Sequence, residues 1–234
     1  MWTSSYFYVI LQTMTFHIIT LFPESLDSYI QSSIIARAIK EKKIKIRFYN
    51  PRDFISAKNK AGYKSVDNKP YGGGPGMVME ALPVLKAVEK AIFKLKSRTY
   101  KIIIFAPNGK QFTNVLARDW ENRYDHLIMI CGRYEGIDAR VKKVLRAEEV
   151  SVGPFVLTGG ELPAMTVLDA VSRQIHGVLG KIESLEEDRV ASSEVYTRPE
   201  ILKYKNKNYK VPKVLLSGNH AEIEKWRQGR QTKH

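Results

Sequence analysis

The sequence has a single cysteine, Cys131, among 234 residues, which excludes an internal disulfide and a cysteine-based zinc site. This scarcity is typical of proteins in a reducing compartment. The five histidines are scattered and lack the paired spacing of an HExxH metal site. The most apolar stretch, residues 6–22, is interrupted by polar residues and is shorter than the ~20 residues of a membrane helix. We therefore predict a cytoplasmic protein without a membrane span and without metal ligands.

Basic residues are abundant and unevenly distributed. The chain has 38 Lys and Arg against 24 Asp and Glu, a formal net charge of +14. Ten basic and two acidic residues lie between Arg37 and Lys64, nine basic and two acidic residues lie between Ile201 and His234, and the rest is close to neutral. Charge concentrated in this way favours a polyanionic partner. We prefer nucleic acid to the alternative, a merely solvated basic surface.

Strand-like and helix-like patterns alternate, which predicts an α/β fold with a mostly parallel sheet flanked by helices. Apolar runs at Ile102–Phe105 and Leu127–Ile130 are typical of strands buried on both faces. The remaining elements are predicted as strands at 14–21, 43–49 and 149–152 and helices at 23–40, 82–95, 115–123, 138–145 and 161–176. The helix at 82–95 is expected to bury a stripe formed by Leu82, Leu85, Val88, Ile92 and Leu95.

Four segments are predicted from composition. Residues 1–13 are an extension that the fold does not need, 14–177 the main domain, 178–195 a polar flexible linker, and 196–234 a small basic C-terminal domain.

Glycine-containing loops follow three of the predicted strands, at Pro107–Gly109, Gly132–Gly136 and Gly153–Gly160. Ligands of open α/β sheets bind beyond the carboxyl ends of strands, where glycine lets the backbone approach closely. We therefore predict a small-molecule site there, against the alternative that the glycines only make turns. The dinucleotide fingerprint, the phosphate loop and the Gly-x-Ser-x-Gly elbow are all absent from the sequence, so these patterns leave the ligand open.

Four longer motifs indicate which ligand and which function the chain has. They are Lys69–Met77 (KPYGGGPGM), Cys131–Asp138 (CGRYEGID), Gly159–Met165 (GGELPAM) and Ser217–Ile223 (SGNHAEI), the last followed by Trp226 and Arg227. Together they resemble the bacterial tRNA (guanine-N(1)-)-methyltransferases from about residue 14 to 227. The resemblance implies the knotted SPOUT superfamily, with a deep trefoil knot at the cofactor site and a small helical C-terminal domain. It also implies a homodimer with the active site at the subunit interface.

The same resemblance implies the reaction. A methyl group would pass from S-adenosylmethionine to N(1) of the guanosine immediately 3′ of the tRNA anticodon, with Mg²⁺ assisting. The positions that match the family's cofactor loops are Pro107, Gly132, Tyr134, Glu135, Gly136, Val152, Gly153, Pro154, Phe155, Val156, Leu157, Gly159, Gly160 and Pro163.

Catalytic and RNA-binding roles also come from the resemblance. It implies Asp188 as the general base for the N(1) proton and Arg173 as the cation that stabilises the guanine oxygen. By residue type alone, Asp188 is a solvated linker residue and Arg173 a surface helix position. The basic segments and matching motifs predict RNA binding by Arg52, Lys64, Arg198, Asn219, His220, Trp226 and Arg227. Trp226 could instead anchor the C-terminal domain.

Two other functions stay open at this point. One is a ribose-modifying RNA methyltransferase of the same superfamily, which should not depend on the Asp188 carboxylate in the same way. The other is a non-catalytic RNA-binding protein that keeps the basic surface without turnover.

Overall fold

The computed structural model describes residues 13–55, 64–95, 99–179 and 194–228. Described residues up to Leu179 belong to one compact unit, and those from 194 onward belong to a second. The predicted N-terminal extension (1–13) and linker (178–195) fall almost entirely outside the described residues. Val178 is an exception, since it is buried in the core of the first unit. The first unit therefore extends at least to this residue.

The first unit is built on a parallel sheet. Its strands are β1 (Met14–Ile19), β2 (Ile44–Tyr49), β3 (Asp67–Asn68), β4 (Val78–Met79), β5 (Tyr100–Gln111), β6 (His126–Ile130) and β7 (Glu148–Ser151). Five of them form one sheet in the order β2-β1-β6-β5-β7, and every neighbouring pair is parallel. Strands β3 and β4 form a separate antiparallel pair.

Helices cover both faces of this sheet. They are α1 (Asp27–Ile30), α2 (Ser33–Lys40), α3 (Ala81–Ile92), α4 (Asn114–Arg123), α5 (Arg140–Leu145) and α6 (Glu161–Gln174), with 3-10 helices at Pro23–Leu26 and Pro51–Phe54. Leu127 and Met129 share one core with α2, α4 and α6, whereas Ile128 and Ile130 share the other with α3 and α5. This alternation explains why β6 is apolar from Leu127 to Ile130. The predicted α/β fold with a mostly parallel, helix-flanked sheet is confirmed.

Two predicted helices differ in detail. The helix predicted over 23–40 is interrupted at Gln31 and Ser32, and Ser33 has φ +50°. The helical spacing of Leu26, Ile30, Ile34 and Ala38 predicts a buried face that includes Ile34. After the break, Ile35 is buried instead and Ile34 is exposed. In the predicted stripe of α3, Val88 is buried as expected, and Leu85 and Ile92 pack against the core. Leu82 is exposed instead, and Val84, Ala87 and Ala91 complete the buried face.

Strand β5 is longer than predicted and runs through Pro107–Gly109, which the sequence suggested as a loop. Its pairing with β7 is irregular, since Phe105 and Lys110 both align with Val150. The residues between them therefore bulge out of the ladder. Bulges of this kind redirect side chains beside functional sites.

A buried histidine, His17, contacts a half-buried one, His126, within the sheet. His17 Nδ1 lies 3.1 Å from the Tyr49 hydroxyl, and its Nε2 lies 3.2 Å from Nδ1 of His126. Burial lowers the pKa of His17 from 6.5 to about 4, with His126 and Arg47 lowering it further in the same direction. His17 is therefore neutral near pH 7 in the folded protein.

The second unit contains β8 (Ile201–Tyr204), β9 (Lys207–Lys210), α7 (Lys213–Leu216) and α8 (His220–Gln228). Strands β8 and β9 form an antiparallel hairpin that the sequence analysis did not predict. The Trp226 ring lies 6.3 Å from that of Tyr196, a contact that favours an anchoring role for this tryptophan within the unit. In the described part of the chain, no helix combines the length and apolarity needed to cross a membrane.

Candidate functional site

A cavity of ≈ 240 Å³ lies at the carboxyl edge of the neighbouring strands β6, β5 and β7. Three segments form its wall, one at the β5 bulge, one after β6 and one after β7. The lining residues are Phe105, Ala106, Pro107, Gly132, Arg133, Tyr134, Glu135, Gly136, Val150, Ser151, Val152, Gly153, Phe155, Val156, Leu157, Thr158, Gly159, Gly160 and Pro163. This is the position at which parallel α/β sheets bind ligands.

The predicted cofactor residues meet in this cavity. Of the fourteen, thirteen line it, and the exception is Pro154, which is exposed to solvent. Six lining residues were missed by the sequence analysis: Phe105, Ala106, Arg133, Val150, Ser151 and Thr158. Most of these flank a predicted residue, so extending each motif by one or two positions would have included them.

The loops that follow β6 and β7 join at Gly160. Its N–H donates to the Gly132 carbonyl oxygen at 3.0 Å, which ties the two loops together through the backbone. A Cβ at residue 160 would lie 2.5 Å from the Cα of Cys131. Because this neighbour is backbone that cannot move aside, only glycine allows the approach. Cys131 is fully buried beneath this contact, and burial raises the pKa of its thiol well above the ordinary value.

Arg133, on the cavity wall, forms a charged pair with Glu161, which does not line the cavity. Arg133 Nη2 lies 2.9 Å from Glu161 Oε2, and the two side chains are 25% and 4% exposed. Thr20 Oγ1 donates to the other Glu161 oxygen at 2.6 Å, and the Arg133 guanidinium stacks 4.6 Å from the centre of the Phe22 ring. A Cβ at Gly159 would lie 2.5 Å from Arg133 Nε, so this glycine leaves room for the pair. The group links β1, the loop after β6 and the start of α6.

The end of the glycine-rich motif at 69–77 docks on the loop after β6. Glu135 N–H donates to the Met77 carbonyl at 2.9 Å, and Met79 N–H donates to the Gly136 carbonyl at the same distance. Tyr71, within the same motif, is fully exposed. The motif therefore reaches the wall of the cavity at one end and solvent at the other.

The two predicted catalytic residues are not brought together by the described residues. Arg173 lies in the last turn of α6, is partly exposed and does not line the cavity. Asp188 lies outside the described residues. Its role as a general base therefore stays a prediction.

In the first basic segment, several cations are engaged by the fold itself. Arg52 donates to the Leu21 carbonyl at 3.1 Å and lies over the Phe22 ring. Arg37 donates to the Val178 carbonyl at 2.7 Å, and Lys43 pairs with Glu41. Lys64 is partly exposed. These contacts give part of the segment a structural role beside any role in binding.

In the second unit, most of the predicted RNA-binding residues are exposed. Arg198, Asn219, His220 and Arg227 are open to solvent, whereas Trp226 is partly buried. The Asn219 side chain also accepts from the Glu222 N–H at 3.4 Å, as the N-terminal cap of α8. Within the described ranges no three His, Cys, Asp or Glu side chains cluster as a metal site, and the assistance of Mg²⁺ stays a prediction.

Comparison with known proteins gives a consistent match. The family model described as tRNA (Guanine-1)-methyltransferase TrmD matches residues 14–234. A tRNA (guanine-N(1)-)-methyltransferase of Buchnera aphidicola is 46% identical over 216 residues, covering 91% of this chain and 87% of the relative. Proteins of the same name from Pasteurella multocida and Clostridioides difficile are 44% and 42% identical, covering 90% and 92% of this chain and 83% and 90% of their own lengths.

Proposed function

The chain belongs to the tRNA (guanine-1)-methyltransferase family, and on that premise we propose that it methylates N(1) of the guanosine immediately 3′ of the tRNA anticodon. S-adenosylmethionine is the proposed methyl donor. The observation that carries the proposal is the cavity at the carboxyl edge of β6, β5 and β7. Thirteen of the fourteen residues that the family motifs assign to the donor line this one cavity.

The composition of the cavity suits such a donor. Apolar surface for a purine ring comes from Phe105, Val150, Phe155 and Leu157. The glycine loops offer backbone N–H and C=O groups for the polar edge of that ring. Arg133 is already paired with Glu161, which leaves the Glu135 carboxylate as the lining group suited to a cationic donor. S-adenosylmethionine supplies, when bound, a methyl group activated by a sulfonium. The trefoil knot is part of the proposal, and the Gly160–Gly132 hydrogen bond supports close loop crossing.

The chain's own residues supply the proton chemistry in this proposal. Guanine N(1) carries a proton at neutral pH, and its lone pair becomes a good nucleophile as that proton leaves. Asp188 would accept this proton as the bond from N(1) to the methyl carbon forms and the methyl–sulfur bond of the donor breaks, leaving a neutral thioether. An ordinary aspartate, with a pKa of about 3.9, is too weak a base to remove the proton beforehand. Arg173 donates to the guanine oxygen, where negative charge develops as the proton departs.

Assembly and substrate binding follow the same premise. We propose a homodimer in which Asp188 of one copy serves the cavity of the other, and a cytoplasmic location because tRNA is modified there. Arg52, Lys64 and the second unit's Arg198 and Arg227 bind the phosphate backbone. Asn219, His220 and Trp226 complete the proposed tRNA surface, with the target guanosine unstacked to reach the cavity.

The test is a methylation assay with atom-level mapping. Unmodified tRNA is incubated with the protein and labelled S-adenosylmethionine, and the modified nucleoside is identified. We expect label on guanine N(1), lost in Asp188→Asn and retained in the matched control Glu187→Gln, a neighbouring carboxylate in the sequence. A ribose product, or tRNA binding without any product, would overturn the proposed function. Equal loss in both variants would overturn the role of Asp188 alone.

A further inference from the structure

The hairpin formed by β8 and β9 projects a short, fully exposed ladder from the second unit. All eight strand residues are exposed. Its loop is the pair Lys205 and Asn206, with φ +46° and +60°. Positive φ at both loop positions is the feature of a type I′ turn, which matches the twist of the two strands and fixes their register.

That register separates the side chains onto two faces. Leu202 pairs with Tyr209 and Tyr204 with Lys207, and residues directly opposite each other point to the same side of a ladder. One face therefore carries two tyrosines and a leucine together with a lysine. Leu202, Tyr204 and Tyr209 are 55%, 58% and 53% exposed, so more than half of each residue's surface faces solvent. This aromatic face is not used as core by the described residues.

The hairpin is also strongly basic. Residues 201–210 include four lysines, at 203, 205, 207 and 210, and no Asp or Glu. None of the four forms an ion pair with any carboxylate in the described part of the chain. The Lys205 Nζ lies 5.5 Å from the centre of the Tyr204 ring, which places a cation beside an aromatic face. Within the described residues, the charge of the hairpin is therefore not neutralised by carboxylates.

We propose that this hairpin binds unpaired nucleotides of the tRNA, with Tyr204 and Tyr209 stacking on bases. Lys207 on the same face and Lys205 in the turn contact adjacent phosphates, whereas Lys203 and Lys210 on the opposite face add to the positive field that attracts the RNA. Exposed aromatic rings set among cations are the surface that single-stranded nucleic acid recognises, because every base offers a π face and every nucleotide a negative charge. Charge complementarity decides the occupant, since a basic ladder without acidic residues fits a polyanion. The inference rests on the proposed function for the identity of the RNA, and it adds a contact that the family motifs do not include.

Binding variants test the stacking and the charge separately. Tyr204→Leu/Tyr209→Leu keeps apolar strand residues but removes both rings, and we expect its Kd for unmodified tRNA to rise about tenfold or more. Tyr204→Phe/Tyr209→Phe keeps the rings and should bind close to wild type. Glutamine at the four hairpin lysines should reduce the slope of log K against log salt by roughly 0.7 for each phosphate that is no longer neutralised. The matched control carries glutamine at four exposed lysines of the first unit: Lys86, Lys90, Lys94 and Lys143.

Each outcome decides the proposal. It is overturned if the leucine variant binds tRNA as wild type does, or if the control loses as much affinity as the hairpin lysine variant, because net charge alone would then explain binding. It is also overturned if the variants lose binding to phosphatidylserine vesicles but keep their affinity for tRNA. If the leucine variant does not fold, as judged by circular dichroism, the phenylalanine and lysine variants decide. Methylation by the wild type is measured separately, so failure of the proposed function and failure of the hairpin contact give different results.

Discussion

Replacing Glu161 with glutamine isolates the charge of the pair that it forms with Arg133. The amide keeps the size of the side chain and can still accept the Thr20 hydroxyl, so the main loss is the negative charge facing Arg133. Removing one partner of a buried pair costs about 3–5 kcal/mol. Because the Arg133 side chain keeps 25% exposure and can be partly hydrated, we expect the lower end, about 3 kcal/mol in the free energy of unfolding.

The consequence can be read by thermal unfolding and by ligand binding. For a chain of this size, a loss of about 3 kcal/mol lowers Tm by roughly 6–12 °C. Because the pair holds the loop after β6 against the start of α6, the Kd for S-adenosylmethionine, measured by calorimetry, should rise more than kcat at saturation falls. Asp119→Asn, which breaks the exposed pair with Arg123 on α4, is the control and should leave both unchanged.

A double-mutant cycle gives the decisive result. Adding Arg133→Met to Glu161→Gln removes the uncompensated cation while keeping an unbranched side chain near Phe22. The double variant should therefore be more stable than Glu161→Gln alone. If the losses of the two single variants simply add, the two side chains are not coupled and the reasoning is refuted.

Three further predictions concern the buried groups. The pKa of His17 is about 4 in the folded protein and 6.5 ordinarily. Protonation therefore favours the unfolded chain. We expect the free energy of unfolding to fall by about 3 kcal/mol as the pH is lowered from 6.5 to 4. Urea titrations across this range check it, and a profile equally steep in His17→Gln would contradict it. The Cys131 thiol should resist iodoacetamide in the native protein and react after denaturation; native labelling would refute its burial. Gly160→Ala should lower the free energy of unfolding by at least about 2 kcal/mol and weaken S-adenosylmethionine binding, because the added Cβ meets the Cys131 backbone. An unchanged Tm and an unchanged Kd measured by calorimetry would contradict this.

The sheet and the location of the cavity could be predicted because their signals are local. A run such as Leu127–Ile130 has no polar side to expose, so it indicates a strand covered on both faces. A glycine loop after such a strand then lies at the carboxyl edge by topology alone. The individual donor positions came from the family resemblance, and thirteen of those fourteen line this one cavity.

The remaining features depend on contacts that one-dimensional patterns do not contain. Helical spacing relates Leu26, Ile30, Ile34 and Ala38. The chain nevertheless turns at Ser33, and a different residue enters the core. In α3, Ala87 and Ala91 join Val88 on the buried face, whereas Leu82, which the spacing placed there, is exposed. The Arg133–Glu161 pair joins residues far apart in the sequence, and no periodicity marks either one.

The hairpin was missed for a related reason. Its turn is formed by Lys205 and Asn206, whereas Asn-Gly is the pair that most strongly predicts a hairpin turn from sequence. Its lysines indicated only a basic C-terminal segment.

Burial gives the two sets of charge different roles. The Arg133–Glu161 pair is shielded from salt and stabilises the wall by holding separate loops in one arrangement. The hairpin lysines are exposed, so they contribute little to folding and their attraction for a polyanion depends on ionic strength. The proposed donor cavity and the proposed RNA surface are suited to different steps, because a donor must be oriented for transfer whereas a long tRNA must be captured and released. The cavity belongs to the first compact unit and the hairpin to the second.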